Sequence, residues 1–84
     1  MRVRVRLFAR AKDLAGGASS MALDLPDGAT IGQLRRRLAE EKPALAGLLA
    51  RSVLAVGDEF VADETTLLPG ADVALLPPVS GGCP

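Results

Sequence analysis

The chain has 84 residues, which is enough for one small domain and too short for two. Hydrophobic residues make up 49% of the chain and charged residues 24%, a balance that is typical of a folded domain and disfavours a disordered one. Ten basic and ten acidic residues cancel, and two phenylalanines are the only aromatic residues, so nucleic acid is not an expected partner.

The N-terminal part of the chain predicts two strands joined by a short helical turn. Three apolar residues alternate with arginines along residues 2–7, a period of two that turns one face to a core and a basic face to water or to a partner. Residues 8–17 suit one helical turn that ends at a glycine pair. Met21, Leu23 and Leu25 then alternate up to the turn at 26–28, and we expect the two strands to pair as a hairpin.

Two helices are predicted after this hairpin. Thr30 and Gln33 stand at the spacing of a capping box, in which each side chain bonds to the backbone N–H of the other residue. The first helix ends near Lys42, and Pro43 suits the first turn of a second, short helix over 43–50. The predicted core positions of the two helices are Ile31, Leu34, Leu38, Leu45, Leu48 and Leu49.

The C-terminal half predicts three more strands. They are expected at 52–56, 60–61 and 71–76, with turns at Gly57-Asp58 and Pro69-Gly70, and Val73 and Leu75 share one face of the last strand.

This order of elements predicts an α+β fold, the ubiquitin-like β-grasp. The single substantial crossover is right-handed and places the main helix across one face of a mixed sheet. We expect this domain over residues 1–76 and an extended tail over 77–84, because the prolines and glycines there suit neither a helix nor a central strand.

Few residues of the chain can perform chemistry by themselves. Histidine is absent and Cys83 is the only cysteine, which excludes an internal disulfide and leaves no familiar general base or metal cluster. The acidic pairs Asp58-Glu59 and Asp63-Glu64 are expected to be solvated.

The longest apolar runs have seven residues, too few for a membrane span, and the alternating N-terminus is unlike a signal peptide. We therefore expect a cytoplasmic protein with no metal and no membrane contact.

The residues that most strongly indicate a function lie in the tail. Residues 77–82 span about 20 Å when extended, long enough to reach a pocket in a partner. Gly81 and Gly82 have no Cβ, so they can pass a narrow channel and leave the Gly82 carbonyl unhindered. By composition alone, a frayed terminus explains these residues equally well.

Two segments and the overall length resemble the family of small, sulfur-carrying subunits of molybdopterin synthase. The segments are residues 7–16, LFARAKDLAG, and residues 68–82, LPGADVALLPPVSGG. The resemblance covers nearly the whole chain. Its most specific part is Pro-Pro-Val-Ser-Gly-Gly directly after the last predicted strand.

The resemblance implies that Gly82 is the reactive end of the tail. A ubiquitin-activation-like adenylyltransferase uses ATP to adenylate the Gly82 carboxylate, and sulfur then replaces the adenylate. The thiocarboxylate enters the large subunit of molybdopterin synthase and donates sulfur to cyclic pyranopterin monophosphate. The chain itself then binds no cofactor and is not an enzyme, since the catalytic side chains belong to the large subunit.

The resemblance also assigns expected contacts to residues of this chain. The segment inserted into the large subunit would be Pro77, Pro78, Val79, Ser80 and Gly81, with Leu76 and Phe8 at the partner surface beside it. Arg2, Arg4 and Arg6 form either part of such a surface or a solvated sheet face.

Cys83-Pro84 departs from the pattern of the family, whose active form ends at the second glycine. The leading interpretation is a precursor in which a processing metalloprotease cuts the Gly82–Cys83 bond. One alternative is that the Cys83 thiol attacks the Gly82 carbonyl, giving a thioester that sulfide opens. The other is an unprocessed paralogue with an exposed thiol.

Two further functions fit the same tail. A related sulfur carrier would feed cysteine, thiazole or another thio-metabolite, and it would differ only in the acceptor enzyme. A ubiquitin-like modifier or binding module would be joined to lysines through Gly82 and would need the same trimming.

Overall fold

A computed structural model describes residues 1–76, and within this range five strands and three α-helices follow one another. In chain order they are β1 (Arg2–Leu7), α1 (Arg10–Leu14), β2 (Ser20–Asp24), α2 (Ile31–Glu41), a 3₁₀ turn (Pro43–Leu45), α3 (Ala46–Leu49), β3 (Val53–Val56), β4 (Glu59–Val61) and β5 (Asp72–Leu76).

The strands form one mixed sheet in the order β2-β1-β5-β3-β4. β1 and β2 are antiparallel neighbours, which confirms the predicted hairpin, whereas β1 and β5 run parallel. The first and last strands of the domain therefore lie side by side near the middle of the sheet. Ile31, Leu34 and Leu38 of α2 are buried in one cluster with apolar residues of β1 and β5, so the predicted arrangement of one main helix across a mixed sheet is confirmed.

The core lies between α2 and one face of the sheet. Along β1 the apolar residues are buried and the arginines exposed, as the period of two predicts. All six predicted core positions of the helices are buried, and so are Val73 and Leu75 of β5. The sheet face opposite α2, called the open face below, is left toward solvent.

The start of α2 has the predicted capping box. The Gln33 backbone N–H donates to Thr30 Oγ1 at 3.3 Å, and the Thr30 N–H donates to Gln33 Oε1 at 2.8 Å. The helix ends at Glu41, and Pro43 then opens the 3₁₀ turn that leads into α3. The short second helix is thus present, but its first turn is 3₁₀ rather than α.

Two strands begin one residue later than predicted, because turns hold the residues before them. Ser52 Oγ donates to the Leu48 carbonyl at 2.6 Å, so β3 begins at Val53. The Ala71 N–H donates to the Leu68 carbonyl at 3.1 Å, so β5 begins at Asp72. β4 conversely gains Glu59, which pairs with Val56.

No helix within residues 1–76 has both the length and the apolar character needed to span a bilayer. Leu76 is the last described residue, so the predicted domain boundary at 76/77 stays a prediction.

Candidate functional site

The point at which the tail leaves the domain is set by the pairing of β5. Leu76 pairs with Val53 of β3 on one side, and Leu75 pairs with Leu7 of β1 on the other. The chain after Leu76 therefore starts from an interior strand of the sheet. The predicted tail and processing residues lie outside the described residues, and these are Pro77, Pro78, Val79, Ser80, Gly81, Gly82 and Cys83.

An apolar surface on the open face adjoins this point. Directly paired residues project to the same side of a sheet, so the pairings Val53–Leu76, Ala55–Ala74 and Ala55–Phe60 place one set of side chains together. Their neighbours Leu54 and Leu75 are buried on the α2 side, which puts this set on the open face. We call it the open-face patch: Val53, Ala55, Phe60, Ala74 and Leu76.

The open-face patch combines a buried floor with exposed apolar edges. Ala55 and Ala74 are nearly buried, whereas Phe60 is 74% exposed and Val53 46% exposed. Leu76 is half-buried at the base of the tail. Large apolar side chains exposed together mark surfaces that bind other proteins, so the patch is a candidate docking surface beside the tail.

Of the two residues predicted at a partner surface, Leu76 belongs to this patch and Phe8 lies next to it. Phe8 follows β1 directly, is 41% exposed, and has the Arg6 guanidinium carbon 5.9 Å from its ring centre. The roles of both residues in binding stay predictions.

Val53 and Phe60 were not predicted as site residues. Val53 and Leu54 are adjacent in a predicted strand, so the period of two was the signal that could have placed Val53 on the face opposite Leu54. The position of Phe60 beside Ala55 follows from the two-residue turn predicted at Gly57-Asp58, which pairs Val56 with Glu59 and therefore Ala55 with Phe60, so the loop length was the signal that could have found it.

The three arginines of β1 lie on the open face, but they are not equivalent. Arg2 Nε lies 3.2 Å from Asp24 Oδ1 of β2, and Arg6 Nε lies 3.3 Å from Asp72 Oδ1 of β5. Within residues 1–76, Arg4 has no carboxylate oxygen within 4.0 Å. The basic face is therefore partly neutralised across strands, and Arg4 keeps its charge available.

The acidic pairs are exposed, as predicted. Asp58, Glu59 and Glu64 lie at the surface, and Asp63 accepts hydrogen bonds from Arg35. Among the described residues 1–76, no three acidic side chains come together in a group that could hold a metal ion.

Comparison with known proteins gives full-length matches. The sequence model of the ThiS family matches residues 5–82. The molybdopterin synthase sulfur carrier subunit of Chlamydomonas reinhardtii is 33% identical over 84 residues, which cover 98% of this chain and 100% of that protein.

Two solved structures show the same fold over a similar extent. SAMP1 of Haloferax volcanii matches with a TM-score of 0.86 and 27% identity, over 98% of this chain and 100% of that one. A chain in the Helicobacter pylori complex of subunits 1 and 2 of molybdopterin-converting factor matches with a TM-score of 0.70 and 29% identity, again over 98% and 100%.

Proposed function

Because this chain belongs to the ThiS family, we propose that it is the sulfur-carrier subunit of a molybdopterin synthase. The observation that carries the proposal is that four molybdopterin synthase sulfur carrier subunits are 30–34% identical to this chain over 94–98% of its length. The family match also extends to Gly82, the second glycine of the tail. The full-length relation to the Chlamydomonas reinhardtii sulfur carrier subunit supports the same assignment.

The partner in this proposal is the large subunit of the synthase. It is supported by the Helicobacter pylori structure, in which subunits 1 and 2 of molybdopterin-converting factor form a complex. In this chain the open-face patch would dock on the large subunit, with Phe60 and Val53 as the exposed apolar contacts. Because Leu76 belongs to the patch, docking would aim the tail into the large subunit.

The proposed chemistry takes place at the carboxyl group of Gly82. A carboxylate is a poor electrophile, so an adenylyltransferase first joins it to AMP from ATP and releases pyrophosphate. A sulfur nucleophile then attacks the acyl carbon and AMP leaves, which gives the thiocarboxylate. This chain contributes the tail and the carried sulfur, while ATP and the catalytic side chains belong to the other proteins.

The tail residues suit passage into a confined site. Gly81 and Gly82 present no side chain beside the reacting carbon. Pro77 and Pro78 restrict the backbone at the start of the tail, because the proline ring fixes φ. The inserted segment would be Pro77 to Gly82, with Val79 and Ser80 as its only larger side chains after the prolines.

Activation requires a free carboxylate at Gly82, yet Cys83 follows it in the sequence. We propose that a metalloprotease hydrolyses the Gly82–Cys83 bond, leaving the carboxylate on Gly82 and a free amine on Cys83. The adenylyltransferase would then act only on the trimmed chain.

A second candidate function is that of a protein modifier. It is favoured by the TM-score of 0.86 to SAMP1, which belongs to the small archaeal modifier proteins. In that case the activated Gly82 would be attacked by a lysine amine rather than by sulfur. A third, a carrier for a different thio-metabolite, would share every step up to the thiocarboxylate.

Three assays separate the three functions: formation of the thiocarboxylate, its consumption by the large subunit, and conjugation in an extract of the host cells. The chain ending at Gly82 and the full chain are each incubated with the adenylyltransferase of the same organism, ATP and sulfide, and their intact masses are recorded. The product is then mixed with the large subunit and cyclic pyranopterin monophosphate. We expect exchange of one oxygen for sulfur in the trimmed chain alone, followed by formation of the pterin dithiolene.

Other outcomes would contradict the proposal. A thiocarboxylate that the large subunit does not consume points to a different sulfur acceptor. Isopeptide-linked adducts in a cell extract, without sulfur incorporation, identify a modifier.

A further inference from the structure

A hollow with basic walls lies where β1 passes the residues that lead into β2. Its volume is about 530 Å³, and Leu7 and Ala9 contribute to its apolar wall. The side chains that give it chemical character, here called the basic hollow, are Arg4, Arg6, Phe8, Lys12, Ser19 and Ser20.

The charges in the basic hollow are largely uncompensated. Among residues 1–76, none that lines it is acidic. Arg6 forms an ion pair with Asp72. Within residues 1–76, however, neither Arg4 nor Lys12 has a carboxylate oxygen within 4.0 Å. Arg4 and Lys12 are also exposed, so both can reach an incoming anion.

The hollow also offers hydrogen-bond donors and an apolar surface. Ser19 and Ser20 present hydroxyl groups beside the cations, and both residues are exposed. Guanidinium groups bind carboxylates through paired N–H donors, and the Phe8 ring can cover the aliphatic part of a glutamate side chain.

We propose that the basic hollow binds an acidic segment of a partner protein, with its carboxylates on Arg4 and Lys12. The cations come from a strand and a helix and surround a hollow, so they fit carboxylates spaced along a peptide. The net charge of the whole chain is zero, which disfavours a long polyphosphate ligand such as nucleic acid.

The hollow lies next to the open-face patch on the same side of the sheet. Arg6 pairs with Ala74 of the patch, and Leu7 pairs with Leu75 beside the base of the tail. A protein that covers the patch would therefore reach the hollow with an adjoining segment. The identity of that protein as the large subunit rests on the proposed function, whereas the preference for carboxylates does not.

The first test is an NMR titration of the 15N-labelled protein with hexaglutamate peptide, and separately with inorganic phosphate and a single-stranded DNA oligonucleotide. We expect saturable shifts of the backbone amides of Arg4, Lys12, Ser19 and Ser20 with hexaglutamate, weakening as salt is added. Shifts spread evenly over the surface would overturn the site. Displacement of the peptide by phosphate or DNA at equal concentration would overturn its assignment to an acidic segment.

The second test uses two charge reversals with the same change in net charge. Arg4→Glu lies in the hollow, whereas Arg36→Glu lies on α2, away from the open face. We expect Arg4→Glu to weaken binding of the large subunit about tenfold, and Arg36→Glu to change it less than about twofold.

Equal affinities of Arg4→Glu and the unaltered chain would overturn the placement of an acidic segment on Arg4. If the chain ending at Gly82, without any substitution, fails to bind the large subunit while hexaglutamate still titrates the hollow, the proposed function is wrong and the acidic-segment site stands.

Discussion

Arg35 of α2 holds Asp63, a residue 28 positions later in the chain, through two hydrogen bonds to the same carboxylate oxygen. Its Nε and Nη2 atoms donate to Asp63 Oδ1 at 3.3 and 3.0 Å. Its Nη1 atom donates to the Ser52 carbonyl at 3.0 Å and also to the Leu49 carbonyl. One side chain thus ties α2 to the end of α3, to the start of β3 and to the loop after β4.

Replacement of Arg35 by methionine is expected to lower the free energy of unfolding by about 2 to 3 kcal/mol. The aliphatic part of the side chain would remain, but the carbonyls of Leu49 and Ser52 would lose a charged donor. Asp63→Asn should cost only about 0.5 kcal/mol, because Asp63 is 55% exposed. Denaturant unfolding measures both values.

The neighbouring arginine provides the control for this prediction. Arg36 is exposed and makes none of these contacts, so Arg36→Met should change stability by less than about 0.5 kcal/mol. Similar losses for Arg35→Met and Arg36→Met would show that the contacts of Arg35 contribute nothing to stability.

Two glycines in the same domain are expected to respond to alanine in opposite directions. Gly57 has a φ of +61° in the turn between β3 and β4, and a Cβ there would meet no atom within 4 Å. Gly57→Ala should therefore cost about 1 kcal/mol through backbone strain alone. Gly47→Ala in α3, where φ is helical and space is open, should stabilise by about 0.5 to 1 kcal/mol.

Thermal unfolding of the two alanine variants shows whether stability falls for Gly57→Ala and rises for Gly47→Ala. A Gly57→Asn variant should recover part of the loss, since asparagine tolerates the left-handed region better than alanine. Loss of stability in both alanine variants would mean that backbone conformation does not decide the difference.

Local patterns were sufficient for most of the fold. The alternation along β1 and the Thr30–Gln33 spacing depend on residues close in sequence, and both predictions are confirmed. Arg35 gave no such signal, because its partners lie 14, 17 and 28 residues away. Its triple-arginine context instead indicates an exposed helix face, which holds for Arg36 and Arg37.

The candidate site was predicted only in part, because strand pairing decides which side chains meet on one face of the sheet. Leu76 and Phe8 were predicted as partner contacts from the family resemblance, and their roles in binding stay predictions. Phe60 joins the open-face patch because β4 pairs with β3 in one register, and a shift by one residue would turn it toward the other face.

The open-face patch predicts a binding defect without a folding defect. Phe60→Ser should weaken binding of the large subunit by about 2 kcal/mol, since a large exposed aromatic side chain that becomes buried in an interface contributes strongly. Stability should change little, because Phe60 is 74% exposed in the free domain. Isothermal titration calorimetry and thermal unfolding measure the two quantities.

Leu68 offers a matched control on a different surface. It is 72% exposed and lies in the loop before β5, at the opposite end of that strand from Leu76. Leu68→Ser should leave the affinity for the large subunit unchanged. Equal effects of both substitutions would mean that general surface hydrophobicity, rather than the patch, drives association.

Substitution of Cys83, the residue after the second glycine, distinguishes proteolytic trimming from thiol chemistry. Cys83→Ala removes the only thiol of the chain and keeps a peptide bond after Gly82. If a protease frees the carboxylate, this variant should be trimmed and should acquire sulfur as the unaltered chain does. The intact mass of the protein isolated from its host cells measures both the loss of residues 83–84 and the gain of sulfur. A second chain that ends at Gly82 gives the mass change expected for sulfur loading when no trimming is needed. If a thioester to Cys83 is required instead, Cys83→Ala should remain untrimmed and free of sulfur while the chain ending at Gly82 is loaded by its adenylyltransferase.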